Sequence, residues 1–179
     1  VSGKLTADTA CEYAKTAGGS PDDPALTAQA EAIVTGIREL LLQSGGDESI
    51  SGIRREMRTT LEEGAGIYRD EEGAVTTCEK VAELRKRYVN MEVNDKSNVF
   101  NTDLQSALEL RNLLVVAETV AEASLQRRES RGAHQRLDYT ERDDVNFLKH
   151  SLCFRQPDDR PRVEWSDVTI TRSQPGVRD

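Results

Sequence analysis

NTDLQSALELRNLLVVAETVAEASLQRR, residues 101–128, is the longest stretch of the chain with a sustained helical pattern. Thr102 and Gln105 stand in capping-box register at its start. Two apolar stripes follow at spacings of three, four and seven, one through Leu104, Leu108 and Val115 and one through Leu110, Leu113, Ala117 and Val120. Apolar surface on two sides requires a neighbour on each side, so the pattern predicts the central helix of an antiparallel bundle.

Candidate neighbours precede it. Leu26, Ala30, Ile33, Ile37, Leu40 and Leu41 fall at helical spacing between Ala25 and Ser44, with Gly45 and Gly46 as the stop. A helix from about Ser49 to Gly64 carries Ile50, Ile53, Met57 and Leu61 on one stripe, and another, after Asp70, carries Ala74, Cys78, Val81 and Tyr88. Cys78 on that stripe reads as a core residue. The first sixteen residues, VSGKLTADTACEYAKT, have a helix-compatible pattern through Leu5, Ala10, Tyr13 and Ala14 with no cap before it. AGGSPDDP, residues 17–24, reads as a linker in which Gly18 and Gly19 end one helix, Asp23 caps the next and Pro24 opens it.

The period changes near the C-terminus. Leu152 and Phe154, Val163 and Trp165, and Val168 and Ile170 alternate, with QPDDRP (156–161) as a turn between them. The expected architecture is mainly α: an antiparallel bundle of three or more helices with a small C-terminal β-hairpin or short strands.

Composition narrows function. The chain has 179 residues, 36% of them hydrophobic, and a formal net charge of −8 with Lys and Arg interleaved among acids. That is enough for one ordinary core, and the charge argues against nucleic acid as a partner. No apolar run reaches the length of a membrane span, so no direct membrane insertion is expected. Cys11, Cys78 and Cys153 are odd in number and far apart, which fits neither a disulfide framework nor a zinc site and suggests a reducing, cytoplasmic setting. A start at Val1-Ser2-Gly3 suggests a piece cut from something longer.

Self-contained chemistry is missing from the pattern. There is no GxGxxG, phosphate loop, HExxH or GxSxG, and EEGAGIYR (62–69) reads as a helix stop. Adjacent acids such as Glu62-Glu63 and Asp143-Asp144 diverge by about 100 degrees on a helix and cannot face one substrate. The concentrated polar stretch is ESRGAHQRLDYTERDDVNFLKH, residues 129–150, which holds both histidines. Its simplest reading pairs Arg131, Arg136 and Arg142 with Glu129, Asp138, Asp143 or Asp144, and lets His134 donate a hydrogen bond within the network. His134 and His150 are the remaining candidates for a general acid or base, a role that needs a substrate pocket and a second group to orient the ring.

NVFNTDLQSALELRNLLVVAE (98–118), ESRGAHQRLDYTERDDVNFLKHSL (129–152) and VEWSDVTITR (163–172) together resemble the C-terminal region of the flavoprotein subunit of succinate dehydrogenases and fumarate reductases, a family that includes L-aspartate oxidase. EEGAGIYR and RDDVNFLKHSLCFR are most similar to the fumarate reductase branch. The resemblance implies that the complete subunit carries covalent FAD and interconverts fumarate and succinate by hydride transfer, passing electrons to an iron–sulfur subunit. It implies a parent complex peripheral on the cytoplasmic face of the inner membrane. The family's flavin-linking, substrate-binding and proton-delivering residues precede this region, so no catalytic, cofactor-binding or metal-binding residue and no bound cofactor is expected within the chain.

On the same basis residues 1–17 are expected to be the remnant of the last flavin-domain helix, 18–130 the helical bundle, and 131–179 a C-terminal extension. The expected partners are the flavin-binding and capping domains of the same subunit. Glu129, Arg131, His134, Arg136, Asp138, Arg142, Asp143 and Asp144 are the candidate residues for docking against them. Two functional readings follow: a scaffold portion of the flavoprotein subunit, inert alone, or an independent helical module that binds a protein partner.

Overall fold

Ser49, Asp70 and Asn101 each stand just before a helix and turn a side-chain oxygen onto its first free amides, which have no partner inside the helix. Ser49 Oγ accepts from the Gly52 amide at 3.2 Å, Asp70 Oδ1 from Gly73 at 2.8 Å, and Asn101 Oδ1 from Leu104 at 2.7 Å. The last cap corrects the expectation that Thr102 would fill this role. Asn101 supplies the oxygen, and Thr102 is already the first helical residue.

The computed structural model describes residues 2–18, 23–156, 160–171 and 176. The chain forms two compact units, Val1–Leu42 and Gln43–Asp179. The first contains α1 (Ser2–Thr16) and α2 (Pro24–Leu42). Asp23 caps α2 through the Ala25 amide at 2.9 Å and Pro24 opens it, as the sequence predicts. Helix α2 stops at Leu42, two residues short of the predicted Ser44. The apolar stripes of both helices are largely solvent-exposed, with Leu5, Tyr13, Leu26 and Ile33 open and Leu41 buried. Residues 19–22 of the expected linker lie outside the described residues.

The second unit runs α3 (Ile50–Ala65), β1 (Tyr68–Arg69), α4 (Glu71–Arg87), a short 3-10 turn (Tyr88–Asn90), α5 (Thr102–Gln126), β2 (Gln135–Arg136), β3 (Lys149–Phe154) and β4 (Arg162–Asp167). Helices α3, α4 and α5 pack on one another. Arg87, at the end of α4, holds Glu56 of α3 at 2.7 Å and Glu48 before α3 at 2.6 Å, so these two helices run in opposite directions. Glu71 at the start of α4 meets Arg128 just beyond α5 at 3.0 Å, and the Tyr88 hydroxyl donates to the Ala107 carbonyl at 3.1 Å, which makes α4 and α5 antiparallel as well. Near Gly64, α3 and α4 come so close that a side-chain carbon there would collide with the Gly73 carbonyl and the Thr77 hydroxyl. Only glycine permits that crossing.

The core follows the predicted stripes of α3 and α4: Ile50, Ile53 and Met57 are buried with Ala74, Cys78, Val81 and Leu84. Tyr88 leaves the stripe for the 3-10 turn, and Leu84 takes the place in the core. On α5 the buried stripe is Ala107, Leu110, Leu114, Ala117 and Ala121. Of the two predicted stripes, Leu104, Leu108 and Val115 are half-buried, while in the other Leu110 and Ala117 are buried and Leu113 and Val120 are 42% and 44% exposed.

Strands β3 and β4 pair antiparallel, from Lys149 opposite Asp167 to Phe154 opposite Arg162. This is the predicted hairpin. Its ladder ends at Asp167, so Val168 and Ile170 lie past the strand, and residues 157–159 of the expected turn are outside the described residues. EEGAGIYR does end α3, but its last two residues also form β1, which pairs in parallel with β2: Tyr68 with Gln135 and Arg69 with Arg136.

Candidate functional site

The dense charges of residues 127–144 gather around the C-terminal end of α5. A helix leaves its last carbonyls without intrahelical partners, and cationic side chains there find both acceptors and a favourable dipole. Arg136 meets that need. It is buried, with Nη1 donating to the Ser124 and Leu125 carbonyls at 3.1 and 3.2 Å. Its other nitrogens grip Asp138 with two bonds of 2.7 Å and reach Glu71 at 3.1 Å. These bonds to Arg136 hold the Asp138 carboxyl down at about 2. The Arg136 guanidinium also lies 5.0 Å from the centre of the Tyr139 ring.

Glu129 is the centre of a second knot. Burial works against its charge, yet Arg131, the Asp143 amide and Arg127 together keep its carboxyl below the ordinary range. Arg127 Nη1 lies 2.6 Å from it and the Asp143 amide 2.9 Å. Arg131 also binds Asp144 at 2.6 Å, and Arg142 holds the same carboxylate at 2.9 Å. Asp143 turns its own carboxylate onto the amides of Val145 and Asn146 at 3.0 and 2.9 Å. Arg127 further donates to the Phe147 and Lys149 carbonyls, both at 2.8 Å, and stacks 4.8 Å from the Trp165 ring centre. The hairpin is thereby tied to the end of α5.

His134 sits half-buried between these knots. Its Nε2 lies 2.9 Å from the Arg127 carbonyl and its Nδ1 meets an Arg69 guanidinium nitrogen. Burial holds its pKa below the ordinary histidine value; the bond to the Arg127 carbonyl pulls the other way, and the charges of Arg69, Arg136 and Arg127 add to the lowering.

All eight predicted residues therefore fall in one region, with the expected pairings of Arg131, Arg136 and Arg142 present. Glu129 and Arg136 face inward, whereas Asp138 is exposed and Arg142, Asp143 and Asp144 are partly so. Sequence reading missed Arg69, Glu71 and Arg127, which complete the network. Arg69 and Glu71 lie far along the chain, and nothing local connects them to residue 134. His150 is exposed on β3, outside the network.

Among the described residues, no three or more His, Cys, Asp or Glu side chains are grouped to hold a metal. Among the described residues, several hollows are open to solvent with mixed polar and apolar linings. One of them, about 430 Å³, is lined by Ser51, Arg54, Arg55, Arg58, Thr59 and Glu62.

Three helices closed at one end by ion pairs, with a hairpin tied to that end, define a small, mainly helical domain. Residues 54–179 match the family described as "Fumarate reductase flavoprotein C-term", and the chain belongs to that family. It is 48% identical over 178 residues to the fumarate reductase flavoprotein subunit of Haemophilus influenzae, covering 99% of this chain and 29% of that subunit. A succinate dehydrogenase flavoprotein subunit from Rickettsia bellii is 34% identical, across 96% of this chain and 28% of its own length. A solved chain of Escherichia coli quinol fumarate reductase superposes with a TM-score of 0.91 and 46% identity, over 97% of this chain and 30% of that one. The chain thus spans less than a third of the relatives it matches.

Proposed function

We propose that this chain is the C-terminal scaffold portion of a fumarate reductase flavoprotein subunit. The observation that carries this reading is the identity of 48% to a fumarate reductase subunit over nearly the whole chain, against 34% to a succinate dehydrogenase subunit. In the complete subunit, covalent FAD supplies the hydride chemistry between fumarate and succinate, and an iron–sulfur subunit exchanges the electrons. The complex lies on the cytoplasmic face of the inner membrane. The portion described here contributes shape and docking surface, divided into a flavin-domain helix remnant (1–17), a helical bundle (18–130) and a C-terminal extension (131–179).

The charged segment docks against the flavin-binding and capping domains. Glu129 and Arg136 form its internal frame, and Arg131, His134, Asp138, Arg142, Asp143 and Asp144 complete the surface. Apolar residues left open beside it support this role, including Leu137 at 62% exposure and Val145 at 88%. Leu113, Val116 and Val120 form a further open strip on α5.

The test adds FAD to the purified chain and follows both the flavin absorbance and dye-coupled fumarate reduction, then repeats the assay with the remainder of a fumarate reductase flavoprotein subunit co-expressed. The chain alone gives no retained flavin band and no turnover, and it co-purifies with the remainder. Turnover by the chain alone, or failure of the two pieces to associate, overturns the proposal.

A further inference from the structure

His134 lies in the middle of a continuous line of hydrogen bonds between two helix ends. Arg69 Nε donates to the Ala65 and Gly66 carbonyls at the end of α3, at 3.1 and 2.8 Å. The same guanidinium reaches His134 Nδ1, and His134 Nε2 reaches the carbonyl of Arg127, the C-cap residue of α5. A guanidinium can only donate and a carbonyl can only accept. These partners assign the neutral imidazole, with its hydrogen on Nε2 and a lone pair on Nδ1.

We infer that His134 is an acid-sensitive latch: its neutral form joins the ends of α3 and α5, and protonation opens that joint while the helical bundle stays folded. A proton on Nδ1 would turn an acceptor into a donor aimed at a guanidinium, and the bond would be lost. The surrounding charges reinforce the effect. Arg69 arrives from β1, Arg136 from β2 and Arg127 from the end of α5. The nearby acids are already engaged, Glu71 and Asp138 with Arg136 and Glu129 with Arg127 and Arg131. A new imidazolium would meet three cations and no unengaged carboxylate among these groups.

The part that opens is small. Leu137 donates its amide to the Arg69 carbonyl at 2.7 Å, and residues 131 and 134 exchange backbone bonds of 2.8 and 3.0 Å. The two-residue β1–β2 pair and this tight turn have little apolar burial of their own, so they belong to the low-stability end of the structure. The imidazole bonds to Arg69 and to the Arg127 carbonyl, which lie just beyond the ends of α3 and α5 and outside the buried apolar core. The inference rests on this chain alone and does not use the proposed parent subunit.

The experiment is nitrogen-detected NMR of the whole chain carrying His150→Gln, so that His134 gives the single imidazole signal, combined with amide exchange from about pH 7.5 to about pH 5. The expected result is an Nε2–H tautomer with a titration midpoint below about 6.5. Protection of the Leu137 and Arg131 amides, corrected for intrinsic exchange, falls about tenfold or more as the ring protonates, while that of Leu114 holds. His134→Gln supplies the control, because its amide can accept from Arg69 and donate to the Arg127 carbonyl without titrating. Protection in that variant stays level with pH. An Nδ1–H tautomer, a midpoint at or above about 6.5, or the same acid loss in His134→Gln overturns the latch. The titration of the unaltered His134 decides the matter even if the glutamine variant fails to fold.

Discussion

Arg131 grips Glu129 through two bonds, 2.8 Å from Nε and 2.9 Å from Nη2, although the Glu129 side chain has no exposed surface. A carboxylate removed from water survives only if its oxygens are matched inside, and here two arginines and a backbone amide do so.

Glu129→Ala should accordingly cost about 3 to 5 kcal/mol, because it leaves Arg127 and Arg131 facing each other without their shared counter-charge. Urea unfolding of the variant measures it. A loss no larger than that of an ordinary surface change would mean that the network contributes little to stability.

The two adjacent leucines of α5 offer a sharper test. Leu114 is 1% exposed and Leu113 is 42% exposed. Truncating Leu114 to alanine leaves a cavity and is expected to cost about 2 to 5 kcal/mol. Leu113→Ala costs about 0.5 kcal/mol or less in the isolated chain. Comparable midpoints for the two variants would contradict the placement of α5 against α3 and α4.

Acid should weaken the fold through Asp138 in a defined window. Its folded-state pKa, about 2, lies below the ordinary 3.8, so the unfolded chain binds the proton more readily. The stabilisation from Asp138 is complete above the unfolded value and is lost as pH falls from there through about 2. Thermal midpoints measured across that range for the chain and for Asp138→Asn should converge at the acid end and diverge above it. Parallel curves would remove Asp138 from the account.

Thiol chemistry should separate the cysteines. Cys78 is 3% exposed, and burial, with Glu122 beside it, pushes its thiol up to about 12. Cys11 is exposed on α1. Brief iodoacetamide treatment of the native chain near neutral pH, followed by peptide mass spectrometry, should label Cys11 and spare Cys78, since the thiolate is the reacting species. Rapid labelling of Cys78 would place it outside the core.

Helix positions were legible because their signals are local. Ser49 and Asp70 lie within three residues of the amides they cap, and Ile50, Ile53 and Met57 repeat at the helical period. The alternation of β3 and the first half of the predicted C-terminal pattern in β4 was readable for the same reason, as was the cluster of arginines and acids between residues 129 and 144. Periodicity could say that α5 had two apolar flanks. It could not say which positions would be covered, and packing buried Leu114 while leaving Leu113 42% exposed.

The pairing of Tyr68 with Gln135, the capping of α5 by Arg136 and the meeting of Arg69 with His134 had no comparable local mark. Each joins groups from different elements, and each exists because packing α3, α4 and α5 brings their ends to the same place. Local backbone preference extends over only a few residues. Partners separated by two helices are chosen by the geometry of the packed bundle, and so by tertiary contact alone.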